Sequence, residues 1–249
     1  MLLLSALASV VVAGSAVLLR ERQDANRLLY RRVHVLEVAG LIEPGARLGL
    51  GGVMRLFEQQ IVVRVVELAS GEEAPHIDPS SLDVGPALRD PGAHAPAPEN
   101  AAGIQWVPIH TLVYHAMEAG ELRALVLPIE GPGMWGTIYG FIALSPDLTS
   151  VRGVTFYQHS ETPGLGAEIS DPRWRNLWEG RRPFDESWAP VIEVVKGPTG
   201  SPEAGPHQVD GVSGATITGR AVTNIVQFWL GEAGFGAYLR AYRQGGGAA

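Results

Sequence analysis

The sequence predicts an α+β fold, a mainly antiparallel sheet with peripheral helices, behind a single N-terminal transmembrane helix. Three observations lead there. Apolar and aromatic runs at 124–129, 136–144 and 153–158 are divided by turn residues, with few helical stretches between them. That is a strand meander rather than a doubly wound sheet. Residues 215–230 repeat apolar side chains at helical spacing, namely Ile217, Ala221, Val222, Ile225, Val226 and Trp229. Residues 2–19 carry no charge before Arg20.

At 1.5 Å per residue the 2–19 run reaches about 27 Å, close to a hydrocarbon core of about 30 Å. Gly14 and several alanines suit a membrane helix that packs on others. A cleaved signal peptide is the rival, but no basic n-region and no clear cleavage site precede Arg20. Arg20, Arg22, Arg27, Arg31 and Arg32 follow, and the positive-inside tendency would keep them cytoplasmic. Residues 26–40 hold Leu29, Val33, Leu36 and Val38 at helical spacing and end at Gly40. Residues 1–19 thus read as the transmembrane helix, 20–43 as a juxtamembrane helix and linker, and 44–243 as one domain.

Within that domain, 53–60 fits a short helix and 61–68 is β-branched and strand-like. Residues 71–103 are dense in Pro, Gly, Ala and Asp, a surface excursion without a core of its own. Ser145-Pro146-Asp147 marks a turn in the meander. Residues 171–179 read as a short helix with Asp171 as N-cap and Pro172 at the first helical position. A further strand is expected at 191–195.

Composition removes several function classes. The net charge of −7 argues against a nucleic-acid partner, which needs a basic surface. The absence of cysteine removes disulfides, thiolate catalysis, Fe–S clusters and Cys-ligated zinc. Redox chemistry would therefore need an organic or haem cofactor. There is no GxGxxG in a strand–helix context and no P-loop, so NADH binding by this chain is not expected. His159 has no second ligand at zinc spacing, and no metal site is expected.

Chemistry concentrates in three segments. Asp210-Gly211-Val212-Ser213-Gly214-Ala215 runs into Thr216 and the helical pattern. A hydroxyl at a helix start meets free N–H groups and a dipole that favour phosphate. Gly214 and Ala215 allow a bulky group to approach the backbone. The plainer alternative is a helix start capped by Ser213, Thr216 or Thr218. Upstream lies His159-Ser160-Glu161-Thr162-Pro163-Gly164-Leu165-Gly166, and before it Pro128-Ile129-Glu130-Gly131-Pro132-Gly133-Met134-Trp135-Gly136.

In order and spacing, these segments resemble the FMN-binding domain of the C subunit of the Na⁺-translocating NADH:quinone reductase, and the resemblance runs from about Leu2 to Arg240. It implies FMN joined to Thr216 by a phosphoester, installed by a flavin transferase that uses FAD and Mg²⁺. It further implies an electron-relay role among other membrane, flavin and Fe–S subunits. The implied location is a bacterial inner membrane, with the soluble domain periplasmic despite the arginines.

With that cofactor in mind, Glu161 and Thr162 suit the polar edge of the flavin, and Leu165 its face. Pro163, Gly164 and Gly166 allow a tight loop. Trp135 either stacks on the ring or caps the core. Lys196, a lone cation ending an apolar run, either balances phosphate or ring charge or is a solvated strand end. Asp210 either orients Thr216 for the transferase or is a turn residue. Trp174 and Trp178 read as packing residues and His159 as structural. Two rivals remain: a flavoprotein like the G subunit of a ferredoxin:NAD⁺ oxidoreductase complex, and a non-redox membrane-anchored binding module.

Overall fold

A computed structural model describes residues 2–46, 48–82 and 91–245. Its helices are α1 (Leu2–Val38), α2 (Leu50–Gln60), α3 (Pro172–Arg175), α4 (Thr216–Leu230) and α5 (Gly236–Gln244). Its strands are β1 (Ile61–Glu67), β2 (His94–Pro96), β3 (Trp106–Pro108), β4 (His110–Glu118), β5 (Glu121–Pro132), β6 (Thr137–Leu144), β7 (Val151–Gln158), β8 (Glu193–Val195) and β9 (Gln208–Asp210).

The centre is a five-stranded antiparallel sheet in the order β1-β4-β5-β6-β7. Strand alternation sends residues to two separate cores. Leu125, Leu127, Ile129, Ile142 and Leu144 face a core shared with α4 and α5. Ala124, Val126, Phe141 and Ala143 face a second core closed by α1 and α2. The middle strand β5 is therefore buried on both sides. Pro128 divides its pairing: Leu125 to Pro132 pair with β6, whereas pairing with β4 stops at Tyr114–Val126. A proline offers no N–H to a second neighbour.

The expected transmembrane and juxtamembrane helices are one continuous α1. Its last turns are part of the domain, since Val35, Leu36 and Val38 are buried against the sheet. Gly40 stops the helix at φ +71°, a left-handed position that glycine takes without penalty. Among the described residues, no helix is long and apolar enough to cross a membrane. Many side chains of the 2–19 run lie outside the described set.

The meander strands and the C-terminal helix follow the sequence pattern closely. Of the 71–103 excursion, residues 83–90 lie outside the described residues, and the remainder contributes 3-10 turns at Pro79–Leu82 and Pro91–Ala93. Its end pairs β2 with β3. The 171–179 helix is broken in two. Asp171 accepts from the Arg173 N–H at 2.7 Å to cap α3, and a 3-10 turn Asn176–Trp178 follows. The expected 191–195 strand shortens to β8, which pairs in parallel with β9.

Candidate flavin site

The three segments converge on the N-terminus of α4, and Glu161 ties them together. It is 4% exposed. Its Oε1 accepts from the Met134 and Trp135 N–H groups at 2.8 and 3.2 Å, fixing the turn between β5 and β6. Its Oε2 accepts from the Thr218 hydroxyl at 2.5 Å, fixing the first turn of α4. Two glycines permit this packing. A Cβ on Gly133 would lie 2.6 Å from Glu161 Oε1, and one on Gly166 only 2.5 Å from Thr218 Oγ1. The Glu161 carboxylate, expected at the flavin edge, is turned inward here and engaged by the protein on both oxygens.

His159 supports the same strut. Ser170 donates to the Phe156 carbonyl at 2.5 Å, so it accepts from His159 Nε2 at 2.8 Å. His159 Nδ1 then accepts the Glu161 N–H at 3.2 Å. This network defines a neutral ring with its proton on Nε2. Burial holds the imidazole below its usual pKa, partly opposed by the Glu161 charge. The histidine is structural, and no cluster of metal-binding side chains occurs among the described residues.

Thr216 and Thr218 are separated by this arrangement. Thr218 is 1% exposed and bonded to Glu161. Thr216, the first residue of α4, is exposed. None of the three expected side-chain caps forms: the cap position is Ala215, and no side chain bonds the helix start. Gly214 supplies the left-handed turn at φ +72°. Ser213 is exposed beside it. An exposed hydroxyl thus sits on an uncapped positive helix end, the arrangement that suits a phosphate.

Apolar side chains stand in the open around it. Trp135 is 64% exposed, so it does not cap the core. Leu165 is 45% exposed and lies against Gly214, whose Cβ would come within 2.9 Å of it. Met134 and Ile217 are exposed as well. The Thr162 carbonyl accepts the Leu165 and Ala167 N–H groups at 3.1 Å, which folds the 162–165 loop outward. Gly164 tops that loop at φ +74° with nothing near its Cβ position.

Lys196 is the only lysine of the sequence. It is exposed just past β8, and Gly211 passes so close that its Cβ would lie 3.6 Å from the Lys196 Cα. The Val194 N–H donates to Thr223 Oγ1 at 2.8 Å, lacing β8 to α4. Asp210 Oδ1 accepts from the Thr199 N–H and hydroxyl, at 2.8 and 2.6 Å. Its carbonyl accepts from Trp174 Nε1 at 2.8 Å. Trp174 and Trp178 are both buried packing residues. One exposed cation is not among the residues expected from the sequence: Arg220, four residues after Thr216 and so on the same helix face. The T-x-x-x-R spacing is its signal.

A phosphate-ready hydroxyl ringed by open apolar side chains defines a domain built to carry a phosphorylated planar cofactor. Residues 133–231 match the family described as FMN-binding domain. The chain is 43% identical to the C subunit of the Na⁺-translocating NADH-quinone reductase of Pseudomonas aeruginosa, across 95% of this chain and 91% of the relative. It is 44% identical to the protein of the same name from Yersinia pestis, across 95% and 88%. The crystal structure of Shewanella oneidensis NqrC superposes with a TM-score of 0.79 at 30% identity, covering 90% of this chain and 99% of that one. The chain belongs to this family of C subunits.

Proposed function

We infer that the chain is the FMN-carrying electron-relay subunit of a Na⁺-translocating NADH-quinone reductase, an oxidoreductase complex in which it has no complete activity alone. The observation that carries this reading is Thr216, exposed on an uncapped helix start where all three segments meet. Bound FMN supplies the capacity to accept and release electrons. The chain's own residues hold and orient it. The first-turn N–H groups of α4, with Lys196 and Arg220, would balance the phosphate. Trp135, Leu165, Thr162 and Gly164 would border the ring. Glu161 keeps these parts in register from behind.

Attachment to Thr216 is the finer part of the proposal. The Thr216 oxygen bonds to the FMN phosphorus of FAD, the pyrophosphate P–O bond breaks and AMP leaves. The hydroxyl proton passes to the flavin transferase or solvent. Intact mass of the denatured native protein should exceed the sequence mass by one FMN less one water. Thr216→Ala should show the bare sequence mass, and a retained adduct would overturn the assignment.

The same reading places residues 2–19 across a bacterial inner membrane and the bulk of the chain in the periplasm, alongside the other subunits of the complex. The uncharged run supports the span, and the continuous α1 supports a direct link from it to the sheet. Alkaline phosphatase fused after Leu230 should be active. A silent phosphatase with an active cytoplasmic reporter at the same point would reverse the orientation.

A further inference from the structure

Arg181 is 2% exposed, yet no carboxylate pairs with it among the described residues. All five of its N–H donors are used. Nε donates to the Leu177 carbonyl at 3.1 Å. Nη1 donates to the Ser201 and Gly205 carbonyls at 3.1 and 2.6 Å. Nη2 donates to the Gly200 carbonyl at 2.6 Å and to Thr199 Oγ1 at 3.1 Å. A buried cation persists only where such bonds replace its hydration. Apart from the Leu177 carbonyl, every acceptor lies between β8 and β9, so that loop is wound around a charge supplied by another segment.

Thr199 hands the constraint on. Its oxygen accepts from Arg181, and its single hydroxyl hydrogen goes to Asp210 Oδ1 at 2.6 Å. Its N–H goes to the same oxygen at 2.8 Å. Donation by a guanidinium polarises the hydroxyl and strengthens its bond to the carboxylate. Asp210 is held again by Trp174 at its carbonyl, and Gly211 passes within 2.4 Å of the Val195 carbonyl, measured from its Cβ position. The chain therefore enters the 210–216 segment at a pinned point. It leaves at Thr218, pinned by Glu161. Exposed Ser213, Gly214 and Thr216 lie on the short span between these pins.

We propose that Arg181 and Thr199 are positioning residues for flavin attachment: the buried guanidinium orients Thr199, Thr199 fixes Asp210, and the fixed segment presents Thr216 to the transferase. The attachment chemistry is the FAD-dependent transfer given above, and the proposal rests on Thr216 being its acceptor.

The test co-expresses the full chain with a flavin transferase and follows covalent flavin per chain over time by fluorescence after denaturation. Thr199→Val removes the hydroxyl that links Arg181 to Asp210 and should slow attachment about tenfold, the weight of the lost bond to Asp210. Thr199→Ser keeps the hydroxyl and should return the rate to within about twofold of the parent. Asp210→Asn keeps Oδ1 as acceptor and should retain most attachment. Thermal melting is recorded for each variant. A folded Thr199→Val protein that is modified at the parental rate overturns the relay. If that variant melts too low to assay, the serine and asparagine variants decide. A folded Thr199→Ser protein as slow as an unmodifiable chain overturns the relay, and so does a folded Asp210→Asn protein that receives no flavin, because charge rather than position is then at work. Thr216→Ala separates the two levels: covalent flavin on that variant removes the acceptor assignment itself, whereas its loss alongside normal Thr199→Val modification removes only the relay.

Discussion

On one face of the sheet, α1 and α2 cover Tyr114, Phe141 and Tyr157 almost wholly with side chains. On the other, α4 shares the cover with loops, and single polar groups hold those loops in place. The first face is an aromatic lattice: Phe141 stacks on Tyr157 at 5.2 Å and meets Tyr114 edge-on at 5.9 Å. The second depends on Glu161, His159, Arg181 and Asp210, each bonded to several backbone or hydroxyl groups. The α1–α2 face resists perturbation through many small contacts. The site-side face leaves a hydroxyl, a helix end and apolar side chains exposed, and keeps them in place with few bonds. Substitutions on the two faces should therefore separate stability from flavin loading.

The largest stability effect is expected from Phe141→Ala on the α1–α2 face. The side chain is fully buried, and such truncations cost about 3–5 kcal/mol. Denaturant melts should show that loss, while the folded fraction still accepts one covalent flavin. Loss of flavin from well-folded Phe141→Ala protein would mean that the two faces are coupled.

Much of this comparison was legible in the sequence, but unequally. The helical spacing from Ile217 to Trp229 and the runs that became β5, β6 and β7 are local patterns, and local patterns survive translation into structure. β4 escaped because its alternation mixes His110 and His115 with apolar residues, so no clean period stands out. The expected 191–195 strand survives only as β8, and its three-residue partner β9 is too short to announce itself. The motif residues were found, but the inward partners of Glu161 were not, since Met134, Trp135 and Thr218 are distant in sequence. Nothing local distinguishes buried Arg181 from exposed Arg182. Long-range polar contacts leave no periodic trace.

A next, smaller effect is expected where the faces meet. Arg175, on α3, donates to Glu37 at 2.6 Å and to Thr155 at 2.9 Å. Both charged side chains are largely buried. Arg175→Met leaves the Glu37 carboxylate with His34 alone beside it and should cost about 3 kcal/mol at neutral pH, the low end for a broken buried pair. Burial raises the Glu37 pKa, but the close approach of His34 Nδ1 at 3.3 Å and the hydrogen bond from Arg175 outweigh it, leaving a net value below 4.5. The parent pair therefore contributes stability above pH 4.5 that is lost as pH falls through the lowered pKa. In Arg175→Met the lowering by Arg175 is lost, so the Glu37 pKa should rise and the stability lost on acidification should shrink. A parallel pH dependence in both proteins would show that Glu37 does not depend on Arg175.

His159 offers a gentler probe of the site-side face. Its folded pKa lies below 6.5, so the unfolded chain binds the proton more readily. Its contribution is complete above pH 6.5 and declines below it, down to the lowered folded value. Melting temperature should therefore drift down on mild acidification. His159→Gln should flatten that drift, because an amide accepts and donates without titrating. Unchanged pH dependence in the variant would place the titrating group elsewhere.

The smallest expected change, and the sharpest test of the open side, is at Gly164. Its φ of +74° disfavours any side chain, so Gly164→Ala should lose about 1 kcal/mol from backbone strain alone. No protein atom lies within 4 Å of the added Cβ, so packing adds nothing further. Whatever else changes must come from what occupies the space outside the loop. If the ring lies against 162–165, the methyl group will press on it, and the flavin absorption or midpoint potential will shift while the attached mass stays the same. Gly164→Val should enlarge that shift, since a β-branched side chain reaches farther and moves less. Circular dichroism and melting keep loop strain apart from misfolding. A folded valine variant with parental spectrum and potential would detach this loop from the cofactor and leave Trp135 and Ile217 as its apolar neighbours.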